Sequence, residues 1–277
     1  MSQKIIDKFD LSNKVALVTG GAGMLGKRYV MTLLEANARV VVADLNVDEA
    51  QKVAMDESDK TGNEAISVGG DISKKEDVKQ IVTSILDKWG RIDILVNNAA
   101  IDPKFDKETT SKDKVTFEDY PLELWQQSLD VNLTGTFLCV QEVGKVMVNQ
   151  GGGVIVNIAS TYGLVGPDQR IYKKDSETEQ TLFKPVSYCV TKGGILQLTR
   201  YLAAYWGDKN IRVNSLTPGG IYNDQDDEFV KKYSSRTPLD RMADKDEMSA
   251  ALLFLVSDAS SYMTGSNLIV DGGWTAW

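Results

Sequence analysis

The sequence predicts an α/β fold in which a parallel sheet is covered by helices on both faces. Three observations carry this. Short β-branched runs alternate strictly with amphipathic stretches, and the runs are nearly continuously apolar, as strands buried on both sides must be. No repeat, low-complexity tract or linker interrupts the 277 residues, so one domain over 1–277 is expected. With 42% apolar and 25% charged residues, a folded core is expected and disorder is not.

The elements follow in order. "KVALVT" (14–19) reads as the first strand and 24–37 as a helix. "RVVVAD" (39–44) is a strand and 47–60 a charged helix. "AISVGG" (65–70) precedes a helix over 73–90, where Val78, Ile81, Val82, Ile85, Leu86 and Trp89 share one face. Ser73 and Glu76 have capping-box spacing at its start. "IDILVNNA" (92–99) leads to a long helix over 122–149. "GVIVNIAS" (153–160), a helix over 186–206, "IRVNSLTP" (211–218), a helix over 244–256 and "NLIVDGG" (267–273) complete the pattern. Two long polar segments break the rhythm, 101–121 and 163–186. Each follows the C-terminal end of a strand, where open α/β sheets bind ligands.

Composition removes whole classes of chemistry. The net charge of −8 argues against nucleic-acid and anionic-membrane surfaces, which need clustered cations. No apolar run approaches the roughly 18 residues of a membrane span, and no secretory signal is read at the N-terminus, so a cytoplasmic location is expected. Cys139 and Cys189 read as small buried thiols, and no metal site is expected. The chain has no histidine. Serine–histidine hydrolysis and histidine acid–base work are thereby excluded, and proton transfer falls to Tyr, Lys, a carboxylate or Cys.

Three patterns point to a site. "TGGAGMLG" (19–26) joins the first strand to the first helix, and Gly20, Gly23 and Gly26 let the backbone turn tightly and approach a pyrophosphate. Asp44 ends the second strand, where a carboxylate accepts from a ribose 2′-hydroxyl and repels a 2′-phosphate. That favours NAD over NADP. In "PVSYCVTKGG", Tyr188 and Lys192 lie one helical turn apart. A phenol has a pKa near ~10, and lowering it by about three units requires roughly 4 kcal/mol, which a nearby ammonium can supply in part. A second such pair, Tyr205 and Lys209, leads out of its helix and reads as packing and a helix end. Ser160 closes "NIAS" with a hydroxyl able to hold a substrate oxygen. Asn132 sits inside an otherwise apolar helix, where an amide kinks the helix or holds water.

Taken together, "TGGAGMLG", "NNAA" (97–100), "VNLTG" (131–135), "NIAS", "YCVTK" (188–192), "PGG" (218–220) and "VDGG" (270–273) resemble the short-chain dehydrogenase/reductase family over nearly the whole chain. The resemblance implies a Rossmann-type, doubly wound seven-stranded sheet in the order 3-2-1-4-5-6-7, and usually a homotetramer, with a dimer also open. It implies Tyr188 as catalytic acid/base, with Lys192 lowering its pKa and holding the nicotinamide ribose. Ser160 would polarise the substrate oxygen and Asn132 would hold the water linking Lys192 to solvent. Cofactor contacts would come from Gly20, Gly23, Leu25, Gly26, Asp44, Asp71, Ile72, Asn98, Ala99, Tyr188, Lys192, Pro218 and Gly219. The reaction implied is hydride transfer between a secondary alcohol or ketone and nicotinamide.

Departures from the family pattern matter. Met24 stands where simple members carry glycine, so the glycine spacing is that of the extended, nucleotide-sugar branch, although the chain keeps the simple architecture. Ser160 lies 28 positions before Tyr188, about twice the usual gap, so the extra segment must loop out or the hydroxyl must come from Thr161 or Ser187. Tyr162 competes with Tyr188 but has Gly166 one turn on. Asn223 stands near the place of a usual threonine. The loop residues Asp102, Lys104, Asp106, Asp168, Gln169, Arg170, Tyr172, Lys173 and Lys174 suit a hydroxyl-rich or phosphorylated ligand. The ending "VDGGWTAW" and the insert resemble members from bacterial surface-sugar and flagellin-sugar gene clusters, which implies a sugar, sugar phosphate or nucleotide sugar as substrate. Rival readings are a 3-oxoacyl-carrier-protein-type ketone reductase, an NAD-recycling epimerase or dehydratase, and a non-catalytic NAD-binding protein. Trp274 and Trp277 are expected either on their own core or at an interface.

Overall fold

A computed structural model describes residues 4–102 and 116–277. Lys104 and Asp106 lie outside the described residues. Seven parallel strands form one sheet in the order β3-β2-β1-β4-β5-β6-β7: β1 Val15–Thr19, β2 Arg39–Asp44, β3 Ala65–Gly69, β4 Ile94–Asn97, β5 Gly153–Ile158, β6 Ile211–Pro218 and β7 Asn267–Val270. Order and direction are those the sequence implies.

The sheet is wound on both sides. On one face α1 (Met24–Glu35), α2 (Val47–Thr61) and α8 (Ser249–Val256) contribute Leu33, Val53 and Leu252 to one core. On the other, α3 (Lys75–Trp89), α5 (Thr136–Gln150) and α6 (Val186–Trp206) contribute Ile81, Met147 and Leu202. The predicted face of α3 is the buried one, with Leu86 and Trp89 packed at its edge. Among the described residues, no helix is long and apolar enough to cross a membrane.

Several local expectations are corrected. Ser73 does not cap α3. Its hydroxyl donates to Asp71 instead (2.7 Å), the N-cap falls to Lys74, and Glu76 faces solvent beside Lys79. The long helix over 122–149 is interrupted: α4 (Leu122–Ser128) passes into a π-helical turn over Leu129–Gly135 before α5. Asn132 lies within that turn, where a widened ladder lets a buried amide face inward. The helix over 244–256 opens as a 3-10 turn, Lys245–Met248. A short helix, α7 (Asp227–Ser234), was not expected and closes one side of the cleft. Cys139 is buried, but Cys189 is only half-buried; both are free. Tyr205 lies exposed and stacked on Tyr201, and Lys209 follows the helix end, so that pair is surface packing.

Arg212, in β6, ties this strand to the chain beyond α8. Its guanidinium donates to the carbonyls of Leu255, Ser257 and Met263 and to the Ser260 hydroxyl, at 3.0 to 3.2 Å. Hydrogen bonds from a charged donor are worth more than neutral ones, and losing the donor strands its acceptors. Arg212→Met is therefore expected to lower unfolding stability by about 3 kcal/mol, read as a fall in urea midpoint at unchanged slope. A change near zero would show that water serves these acceptors equally well.

Candidate active site

The carboxyl ends of β1, β2, β4, β5 and β6 open into one cleft of about 720 Å³. Its floor at one end is the turn between β1 and α1. Gly20 has φ +60°, and a Cβ there would sit 2.7 Å from the Ala99 Cα. A Cβ on Gly26 would lie 2.1 Å from the Gly20 carbonyl oxygen. Only glycine permits both approaches. Asn98 laces this turn to β4, its side-chain amide donating to the carbonyls of Thr19 (3.1 Å) and Gly20 (2.9 Å), while the Thr19 hydroxyl accepts from the N–H groups of Asn98 and Ala99.

The start of α1 is bare. Gly23 is its N-cap and offers no side-chain cap, and the first turn carries no acidic residue. Gly23, Met24 and Leu25 line the cleft, so unpaired N–H groups and the positive end of the helix dipole face it. Asp44 lies beside them. Its carboxylate accepts from the N–H of Ala22 (3.0 Å) and of Asn46 (3.0 Å), which fixes its orientation and leaves lone pairs for a ligand hydroxyl. Asp71 and Ile72 line the same end, and hydrogen bonding from the Ser73 side chain holds the Asp71 carboxyl below its ordinary pKa. Pro218 and Gly219 close the far wall. This end fits a dinucleotide: an uncapped helix terminus for a pyrophosphate, a glycine-lined floor, and a carboxylate for a ribose.

At the other end Ser160, Tyr188 and Lys192 share the cleft. The segment 161–185 does loop out, so the long gap in sequence brings Ser160 to Tyr188. The alternative hydroxyls are otherwise engaged or enclosed. Ser187 is fully buried between Ser128 and Tyr120 (2.8 Å each), and Thr161, although it borders the cleft, is buried. The Ser160 hydroxyl oxygen accepts from the Tyr162 N–H (3.2 Å), leaving its proton to donate. Tyr162, the competing tyrosine, is buried against Trp274 and accepts a hydrogen bond from the Tyr172 hydroxyl (2.9 Å). Trp274 stacks on Tyr233 (centroids 4.2 Å) within the same core, while Trp277 is exposed.

Lys192 is buried, and its ammonium donates to the Ile158 carbonyl at the end of β5 (2.7 Å). Burial lowers its pKa to about 8, with Asp102 opposing and Lys184 assisting. The expected lowering of the Tyr188 pKa is not found in this state. Burial pushes the phenol above its ordinary value, Asp102 pushes it further, and only a hydrogen-bonding interaction with Ser160 works the other way. Burial dominates; the Lys192 ammonium lies 5.8 Å from the Tyr188 ring centre and gives one of its protons to a backbone carbonyl.

Asn132 is held through both ends of its amide. Its Oδ1 accepts from the Ile101 N–H (2.7 Å), and its Nδ2 donates to the Ile101 carbonyl (2.9 Å) and to the Thr191 hydroxyl (3.2 Å). The amide clamps the backbone beyond β4 and reaches the residue before Lys192.

Among the polar loop residues Arg170 and Lys174 are exposed, while Asp168, Gln169 and Lys173 are partly buried. Asp168 pairs with Arg170 and Arg236, and Lys173 reaches the Thr178 carbonyl. Asp102 and Tyr172 do line the cleft. Missed in the sequence were Phe229 and Tyr233 on α7, Gln225 and Met242, which wall the cleft, and Lys184. The signal for Lys184 was present, since Lys184, Tyr188 and Lys192 recur every four residues.

A parallel sheet in this order, with a glycine turn at one end of its cleft and Ser, Tyr and Lys at the other, defines a dinucleotide-dependent oxidoreductase. The family model described as enoyl-(acyl carrier protein) reductase matches residues 21–275. An NAD-dependent glycerol dehydrogenase of Listeria innocua serovar 6a is 35% identical over 99% of this chain and 99% of that one. A D-threitol dehydrogenase of Mycolicibacterium smegmatis is 33% identical over 96% and 95%. The crystal structure of a gluconate 5-dehydrogenase from Burkholderia cenocepacia J2315 in complex with NADP and tartrate superposes with a TM-score of 0.84, at 29% identity, over 99% of this chain and all of the other. The chain belongs to the short-chain dehydrogenase/reductase family and is an oxidoreductase acting on CH–OH groups.

Burying the Lys192 ammonium has a cost that pH reveals. The fold disfavours this proton, so the destabilisation is full below about pH 8 and fades as pH rises through 8 toward the ordinary 10.5, where the unfolded chain also loses it. The difference corresponds to about 3 kcal/mol at neutral pH. Lys192→Met is expected to raise the melting temperature by about 2 to 6 °C at pH 7, with the gap narrowing in alkali. A lower melting temperature at pH 7 would show the ammonium to be a net stabiliser.

Proposed function

We propose that the protein is an NAD-preferring dehydrogenase of a secondary hydroxyl on a small, polyhydroxylated, sugar-derived substrate. The observation that carries this is one continuous cleft with Asp44 at one end and Ser160 with Tyr188 at the other. A fixed carboxylate at the end of β2 favours a free ribose 2′-hydroxyl over a phosphate. The relatives named for glycerol and threitol support the substrate class. The neighbour solved with NADP shows that the fold itself does not choose between the two dinucleotides. The family description's acyl-carrier substrates would suit a basic docking face, which the net charge of −8 does not favour.

The dinucleotide, when bound, supplies the hydride acceptor. The chain's own residues handle the proton and the oxygen. The Ser160 hydroxyl donates to the substrate oxygen and holds it beside Tyr188. Tyr188 takes the hydroxyl proton during oxidation and returns it during reduction. Lys192 keeps two ammonium protons beyond the one given to Ile158, one for a ribose hydroxyl and one to bias the phenol toward ionisation. Asn132 positions rather than reacts, tying Ile101 at the cleft to the buried Thr191 hydroxyl beside Lys192. Because burial raises the Tyr188 pKa, the phenol stays protonated through neutrality, so oxidative kcat/KM climbs with pH well into the alkaline range while ketone reduction holds over the same range.

Tyr188→Phe is expected to lower kcat by at least about 100-fold with NADH binding retained, as followed by fluorescence. Loss of binding together with activity would mean that the phenol is structural. Asp44→Ala is expected to shrink the NAD over NADP preference in kcat/KM by about 10- to 100-fold. An unchanged ratio would assign Asp44 to the Ala22 and Asn46 contacts alone.

A further inference from the structure

Lys184 is held in place more firmly than a surface lysine needs to be. The Gln169 side chain grips its backbone from both sides, accepting from the Lys184 N–H (2.8 Å) and donating to its carbonyl (3.3 Å). Gln180 in turn donates to the Gln169 carbonyl (2.6 Å) and to that of Leu182 (2.8 Å). The insert thus folds upon itself to deliver one ammonium. That ammonium lies 4.1 Å over the Tyr188 ring and 5.6 Å from the Tyr162 ring, and is ion-paired with Asp102. Only 12% of the Lys184 side chain is exposed. Asp102 is placed in the same manner, since it follows Ile101, whose backbone Asn132 clamps. Two amide clamps, on separate segments, bring opposite charges together at the face of the tyrosine.

We propose that Lys184 and Asp102 form a substrate-reading pair that recognises the hydroxyl adjacent to the one being oxidised, selecting neutral vicinal diols. The inference rests on the dehydrogenase reading of this cleft. An ammonium and a carboxylate side by side offer a donor and an acceptor together, which matches a hydroxyl that must do both. The pair carries no net charge, so it gives no preference to a phosphorylated or carboxylated substrate. Around it the wall is aromatic and apolar, from Tyr162, Tyr172, Phe229 and Met242, so an unmatched polar group there is left without a partner. A substrate lacking the second hydroxyl leaves the pair as it stands and gains nothing from it. This is a specificity role, and the proton transfer stays with Tyr188.

The test compares kcat/KM with NAD for glycerol and threitol against 2-propanol and 2-butanol, in wild type, Lys184→Met, Lys184→Arg and Asp102→Ala. Wild type is expected to prefer the diols. Lys184→Met and Asp102→Ala should each cut the diol over mono-alcohol ratio by about 10- to 100-fold, chiefly through a higher KM. Lys184→Arg should restore part of it. Should wild type oxidise mono-alcohols as readily as diols, or the ratio survive both truncations, the pair does not read the substrate although the dehydrogenase reading stands. Should wild type yield NADH from no alcohol while ketone reduction by NADH also fails, the dehydrogenase reading falls and the pair's role falls with it. A preference for glycerol phosphate over glycerol would equally overturn the neutral-diol assignment.

Discussion

The site depends on one ammonium taken out of water. Lys192 lies on the inner side of α6, and its ammonium donates to the carbonyl of Ile158, the last residue of β5. That bond, with the one Asn157 of β5 gives the Thr199 hydroxyl of α6 (2.9 Å), ties the helix bearing Tyr188 to the strand that runs into Ser160. The groups proposed for the chemistry are therefore registered against each other by the sheet, not by the loops between them. A buried charge with one neutral acceptor is an expensive arrangement. The fold tolerates it because the two cores on either face of the sheet are large and continuous.

Around this point, amides do the positioning. Asn98 holds the glycine turn, Asn132 holds Ile101, and Gln169 holds the backbone of Lys184. Asn132 and Gln169 use both ends of a neutral side chain, and Asn98 its two N–H groups, on backbone groups that strand geometry no longer pairs. Neutral amides suit this cleft, where extra charges would add to a field already set by Lys184, Lys192 and Asp102. The dinucleotide end follows a different principle. There the backbone itself is the recognition element, and glycine is required because Gly20 and Gly26 bring main chains within distances that no Cβ allows.

Much of the fold was legible because strand burial and helix periodicity are local. The seven apolar runs became the seven strands, and the predicted face of α3 is the one packed in the core. The strand order came from the resemblance, since periodicity alone does not say which strands are neighbours. What sequence reasoning missed was tertiary. Ser73 satisfies a capping box on paper, yet the nearer Asp71 takes its hydroxyl. The π turn at Asn132 was foreshadowed by a buried amide in a helix, but not its clamp on Ile101. The helix α7 is short and strongly polar, and its aromatic face gains meaning only when Trp274, far along the chain, stacks on Tyr233. Phenol ionisation failed as an expectation for the same reason. Spacing places an amine one turn away, but it does not show the burial that raises the phenol's pKa.

The most direct measurement is the ionisation of Lys192 itself, followed by carbon-13 chemical shift in protein labelled at the lysine side chain and assigned with Lys192→Met. A resonance titrating near pH 8 and absent from the variant is the expected result. Titration of every lysine near the ordinary value of ~10.4 would mean that this ammonium is hydrated, and that the cleft is not the dry environment in which Tyr188 and its neighbours are described.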